Sequence, residues 1–136
     1  YASYCSAKWI GELGIKHVYR LSVLALMLGT LITLLDTIVS IYIGFLIASF
    51  GFFLIHSSCN AWVAFIAKQH RAKATALYLC SYYLGAAMGG PYLLPFWQQW
   101  GWQGVVLGSM ACLSILAVLV SRLLAPMDRQ GGLTFI

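Results

Sequence analysis

The chain has 136 residues and a formal net charge of +5, and 62% of its residues are hydrophobic while only 8% are charged. A soluble domain of this size would leave much of that apolar surface in water, so the composition argues against a soluble protein. The basic balance then indicates lipid headgroup contact and membrane orientation, and not a nucleic-acid-binding surface.

A short apolar segment precedes the first basic residue. Residues 1–7 run directly into Lys8 and contain no charged residue. They do not show the basic start, short apolar region and cleavage site of a signal peptide. We expect them to be the stub of a truncated helix, and the sequence to be a piece of a larger membrane protein.

Two uncharged runs follow, each long enough to cross a membrane. The first apolar run, residues 21–35, follows Lys16 and Arg20 and places the first span at about residues 18–36, and the second span is predicted at residues 40–66. A helix needs about 20 residues to cross a hydrocarbon core of roughly 30 Å. Asp36 lies at the outer end of the first span, where we expect it to be solvated.

A longer uncharged region runs from Ala74 to Ser121 and exceeds the length of a single passage. Glutamines, a glycine and two tryptophans near its middle predict a turn, because tryptophan prefers the membrane interface. The third and fourth spans are therefore predicted at residues 74–97 and 104–124. The tail, residues 126–136, is expected to be disordered.

All eight basic residues fall on one side of this four-span arrangement. Counting the ends of the spans, they lie at or before the start of the first span, between the second and third, and at or after the end of the fourth, whereas the two opposite turns contain no base. By the positive-inside rule this side is cytoplasmic. We therefore predict an all-α, polytopic transmembrane helix bundle in the inner (plasma) membrane, with both chain ends in the cytoplasm. Short connections predict antiparallel neighbours.

The second span carries a polar stripe. Ser49, His56 and Asn60 fall on one helical face, and Ser57 lies beside His56 near the middle of the span. A polar group at this depth needs a partner or water, and a histidine can exchange protons near neutral pH. His56 is therefore either a proton or substrate contact in a pathway, or a neutral histidine hydrogen-bonded to a neighbouring helix.

Tyr78 and Tyr82 are one helical turn apart in the third span and complete the pathway candidates. Their hydroxyls could bind a solute or a neighbouring backbone. Further along the same span, Gly85 and Gly89 have a spacing that lets another helix approach closely, and the residues after them are Gly90 and Pro91. This half of the span is either a tight packing surface or a hinge or seal of a pathway.

The sequence does not indicate an enzyme. Its four cysteines lack paired metal-ligand spacing, and its three acidic residues lie near the membrane surfaces or in the tail. A nucleophile with a base, a carboxylate pair or a metal cluster cannot be built inside the spans from these residues. We therefore predict no catalytic activity, no metal and no cofactor.

Several motifs of the third span and the turn after it resemble those of a known family. They occupy residues 71–78, 82–85 and 89–91, followed by Trp97 and Trp102. They are similar to the tenth-to-eleventh helix region of major facilitator superfamily transporters, and most similar to the YnfM-like and arabinose-efflux-permease-like branch. The resemblance implies twelve helices in two halves, with this chain forming the end of helix eight and helices nine to twelve.

The resemblance also implies a function. Such a parent would move a small solute by alternating access, with the tenth helix lining the central cavity and proton exchange driving efflux. Its partners would be the lipid bilayer, the remaining helices of the parent and an unidentified small-molecule solute, with no nucleic acid. Two alternatives stay open: a self-contained four-helix membrane protein that oligomerises or scaffolds a partner, and an inactive remnant.

Overall fold

The computed structural model describes residues 15–35 and 37–124, and its regular structure within these ranges is entirely helical. Three long helices follow one another, and each is long and apolar enough to cross a membrane. They are α1 (Ile15–Ile32), α2 (Ile38–Ile66) and α3 (Arg71–Leu124), with 3₁₀ helices at Thr33–Leu35 and Lys68–His70. The predicted helix stub, Asp36 and the predicted disordered tail lie outside the described residues.

Helix α3 is folded back on itself at Gly101. This residue has φ 58° and ψ −141°, a backbone conformation that favours glycine. It divides α3 into a first arm, residues 71–100, and a second arm, residues 102–124. A Cβ at Gly104 would overlap the backbone carbonyl of Phe96, so the two arms approach closely after the bend. The described chain therefore contains four helical rods, the last two of which are joined at Gly101.

Helices α1 and α2 pack closely at glycines of both helices. A Cβ built at Gly29 would lie 2.5 Å from the backbone nitrogen of Ala48, and one at Gly51 would lie 2.7 Å from the carbonyl oxygen of Ser22. The pairing is antiparallel, because earlier residues of α1 contact later residues of α2. Between helices in lipid, close backbone approach gains dispersion contacts that larger side chains would prevent.

Hydrogen bonds join the first part of α1 and the 3₁₀ helix after it to the second arm of α3. The Trp102 indole donates to the Thr33 hydroxyl over 3.1 Å, and the Tyr19 hydroxyl donates to the Leu116 carbonyl, also over 3.1 Å. These contacts lie at opposite ends of the two helices, so the second arm runs antiparallel to α1. The all-α membrane helix bundle predicted from the sequence is confirmed, while the membrane boundaries of its four spans stay predictions.

Candidate functional site

Helix α2 has two faces with different surroundings. Gly51 and Leu54 are buried on the side of α1. Ser49 and Phe53 are exposed, and His56 is half-buried. Since successive residues of an α-helix are rotated by about 100°, this second set lies roughly opposite the face packed on α1. The predicted polar stripe therefore points away from the α1–α2 contact.

His56 is held by side chains from the first arm of α3. The Tyr78 hydroxyl lies 3.1 Å from His56 Nδ1 and also donates to the His56 backbone carbonyl over 3.4 Å. The Tyr82 ring centroid is 4.8 Å from that of the imidazole, and the Phe52 ring stacks on it at 5.9 Å with an interplanar angle of 14°. The imidazole thus has a polar partner at one nitrogen and aromatic rings around it.

The other predicted polar residues of α2 have different surroundings. The Ser57 hydroxyl donates to the Phe53 carbonyl of its own helix over 2.8 Å. Ser49 lies at an open concavity on the α2 surface, beside Phe50 and Phe53. The Asn60 Oδ1 atom is buried and has no hydrogen-bond partner among the described residues. An unsatisfied buried acceptor is costly, so Asn60 is suited to bind water or a donor.

The structure therefore brings His56, Tyr78 and Tyr82 into one cluster and leaves Ser49 outside it. A hydrogen bond between His56 and a neighbouring helix was one of the two interpretations drawn from the sequence, and its geometry is present. That bond is compatible with a pathway role as well, so the role of these side chains stays a prediction. Phe52 was not predicted from the sequence, although its position four residues before His56 is a signal that could have found it.

The small-residue face of α3 is open within the described part of the chain. A Cβ built at Gly85, Gly89 or Gly90 would meet no described atom within 4 Å. Pro91 lies inside the helix, which continues through it. Packing and hinge roles for this face stay predictions. None of the described helices packs closely on it at these glycines.

A small cavity lies between α1, α2 and the second arm of α3. Its volume is about 160 Å³, and its lining includes Thr30, Thr33, Trp102 and Ser109. This cavity could not be predicted from the sequence, because it depends on how three helices pack together. Among the described residues there is also no group of three or more His, Cys, Asp or Glu side chains that could hold a metal ion.

The described helices are apolar and antiparallel, and His56 lies within α2. A comparison with protein families agrees with a membrane protein of this kind. The family model described as Major Facilitator Superfamily matches residues 2–133. The chain belongs to the Major Facilitator Superfamily. The resemblance drawn from the third-span motifs is thereby confirmed, and the chain is a multi-pass, membrane-embedded member of a transporter family.

Curated relatives within the Major Facilitator Superfamily are similar over different parts of the chain. An uncharacterized transporter of Buchnera aphidicola subsp. Schizaphis graminum is 35% identical over 82% of this chain and 27% of its own length. The inner membrane transport protein YnfM of Escherichia coli is 40% identical over 52% of this chain and 16% of its own. The uncharacterized MFS-type transporter YybF of Bacillus subtilis is 30% identical over 88% of this chain and 30% of its own.

The chain thus spans less than a third of the length of these relatives. No solved structure matches it. Because the relatives are much longer, the activity of a whole transporter depends on many residues beyond the described helices, and it enters below as a proposal.

Proposed function

We propose that this chain is part of a secondary active carrier that exports a small solute in exchange for protons, by alternating access between two pseudo-symmetric halves. The observation that carries the proposal is His56, an ionisable side chain deep in a span without charged residues. Ionisable groups at membrane depth are expensive, and they typically mark substrate, ion or proton pathways.

The position of His56 supports this role. It lies away from the α2 face that is buried against α1, and the exposed side chains Ser49 and Phe53 share its side of the helix. Asn60, one turn further along, offers a buried acceptor without a described partner. A polar stripe on one side of a helix whose other side is packed is what a pathway-lining helix requires.

The proposal includes location, orientation and partners. The basic residues outside the spans favour a cytoplasmic position for both chain ends by the positive-inside rule. The Escherichia coli relative is named an inner membrane transport protein, and we propose the same location for this chain. The partners are the bilayer, the remaining helices of the transporter and a small solute. The open Gly85–Gly90 face is a surface on which one of those helices could pack.

Reconstitution of the full-length protein tests the proposal. Proteoliposomes loaded at acidic pH and diluted into a more alkaline buffer would hold a proton gradient directed outward. A panel of sugars, amino acids, organic anions and organic cations would then be added, with internal pH read from a trapped dye. We expect one class to enter the vesicles and raise the internal pH, and we expect an uncoupler to abolish its accumulation. Accumulation that is indifferent to the gradient would contradict proton exchange.

A second candidate function is association through the open glycine face. The described residues leave a Cβ position at Gly85 and Gly89 without contacts, and small residues at this spacing promote helix dimers in membranes. Under this alternative the chain would oligomerise or scaffold a partner without transporting a solute. Light scattering of the purified chain in detergent would report a defined oligomer that Gly85→Ile and Gly89→Ile variants lose.

A further inference from the structure

We propose that Tyr78 is a positioning residue for His56. Its hydroxyl remains hydrogen-bonded to Nδ1 whether or not the imidazole is protonated, because the direction of that hydrogen bond can reverse. The inference rests on the proposed proton-coupled function and adds a specific role for a side chain of α3. Its basis is the placement of a single hydroxyl between two groups of the same histidine. That hydroxyl lies 3.1 Å from Nδ1 and 3.4 Å from the backbone carbonyl oxygen of His56.

This placement satisfies His56 Nδ1 in both protonation states. When Nδ1 carries no proton, the Tyr78 hydroxyl donates its hydrogen to Nδ1. When the imidazole is protonated, Nδ1–H donates to the Tyr78 oxygen, and the hydroxyl hydrogen turns to the His56 carbonyl. A hydroxyl is both donor and acceptor, so this exchange needs only rotation about the C–O bond. No heavy atom has to move when the proton arrives or leaves.

The surroundings leave the charged imidazole dependent on this bond. Helix α3 presents two titratable groups to the His56 ring, Tyr78 and Tyr82. The Cys59 thiol of α2 lies near Tyr78, and Tyr19 of α1 lies near Cys59. Phenol and thiol groups are neutral at physiological pH in ordinary surroundings, so none of them supplies a counter-charge. A charge-assisted hydrogen bond from Nδ1–H therefore stabilises the protonated form.

Tyr82 provides a matched control for Tyr78. Its ring is closer to the imidazole, with centroids 4.8 Å apart compared with 5.6 Å for Tyr78. Among the described residues, however, only the Tyr78 hydroxyl forms a hydrogen bond with His56. Tyr78→Phe and Tyr82→Phe each remove one hydroxyl and retain one ring beside His56. A purely structural role for aromatic packing would make the two variants equivalent.

The experiment is a pH titration of His56 in the full-length transporter, carried out by nitrogen NMR on histidine-labelled protein. His56→Ala assigns the resonance. In Tyr78→Phe, Nδ1 loses a donor when it is neutral and an acceptor when it is protonated. The bond of the protonated form is charge-assisted and therefore the stronger of the two. We therefore expect the titration midpoint of His56 to move to lower pH by about one unit, the size expected for the difference between a charged and a neutral hydrogen bond. Tyr82→Phe is expected to titrate as the wild type.

The pH profile of transport in proteoliposomes gives the second readout, and a shift of the same sign is expected only in Tyr78→Phe. Equal NMR midpoints in the wild type and Tyr78→Phe would overturn the inference, whatever the transport assay shows. A shifted midpoint together with wild-type transport that ignores pH would support the hydrogen-bond role and overturn proton coupling instead. Equal shifts in Tyr78→Phe and Tyr82→Phe would overturn the inference in favour of ring packing.

Discussion

Gly51→Leu in the full-length transporter is expected to prevent normal packing of α1 on α2. A Cβ at this position would lie 2.7 Å from the Ser22 carbonyl oxygen and 3.0 Å from the backbone nitrogen of Leu26. Both atoms belong to helix backbone, so neither can turn aside as a side-chain end would. The helices must separate, and the fully buried Leu54 and Val18 would lose their packing. We expect a loss of about 2 kcal/mol or more, seen as a lower Tm or as aggregation in detergent.

The control for this variant is Ala61→Leu on the same helix. Ala61 is exposed, so the larger side chain does not meet a described neighbour in the way that Leu at Gly51 does. Size-exclusion chromatography and thermal unfolding followed by intrinsic fluorescence would compare the two variants with the wild type. A Gly51→Leu protein as stable as Ala61→Leu would show that the close approach of α1 and α2 does not contribute to the fold.

The same assay examines the open face of α3. A Cβ at Gly85 would meet no described atom within 4 Å, so the contacts among the described helices predict little loss of stability in Gly85→Leu. If Gly85→Leu were nevertheless as damaging as Gly51→Leu, another helix of the transporter would have to cover this face. That result would support the packing interpretation drawn from the glycine spacing of the third span.

The fold class could be predicted from the sequence because few physical solutions exist for such a chain. Backbone polar groups in lipid must be satisfied internally, so long uncharged runs have to be helices. The turn between the third and fourth spans was predicted from the tryptophans and glutamines around Gly101, and the bend occurs at that glycine. Its backbone geometry explains the sharp reversal. Family membership also followed from local motifs, which is where a resemblance is strongest.

The packing partners could not be predicted in the same way. The glycine spacing drew attention to Gly85 and Gly89, whereas close contacts of the described helices include those at Gly29, Gly44, Gly51 and Gly104. Spacing shows that a face is bare, but only the three-dimensional arrangement shows which helix approaches it. Gly44 and Gly51 are seven positions apart and share one face of α2. Their spacing was therefore visible in the sequence, but the sequence does not show which helix packs against them.

The individual residues of the candidate site could be predicted from the sequence, but their contacts with one another could not. The helical periodicity of α2 placed His56 and Asn60 on one face, and that of the third span placed Tyr78 and Tyr82 together. Nothing in either periodicity brings the two spans into register. The hydrogen bond between Tyr78 and His56, 22 residues apart, depends on the short connection after α2 and on antiparallel packing.

His56→Gln in the full-length transporter is expected to abolish the pH dependence of transport while leaving the fold intact. A glutamine amide is neutral at all working pH values and can still exchange a hydrogen bond with the Tyr78 hydroxyl. It therefore removes protonation and retains a polar partner for the group that lies 3.1 Å from Nδ1. His56→Ala removes both, together with the ring contacts to Phe52 and Tyr82. The two substitutions separate a chemical role of the imidazole from a structural one.

In proteoliposomes we expect both His56 variants to lose gradient-driven solute accumulation by about tenfold or more, because the group proposed to exchange the proton is gone. Only His56→Ala is expected to lower the Tm as well, because it leaves a space among aromatic rings. Ser57→Ala is the control for a neighbouring polar group, since its hydroxyl bonds to the Phe53 carbonyl of the same helix. Full accumulation and an unchanged pH profile in His56→Gln would show that the imidazole is a packing group. The proton pathway would then have to lie in other helices of the transporter.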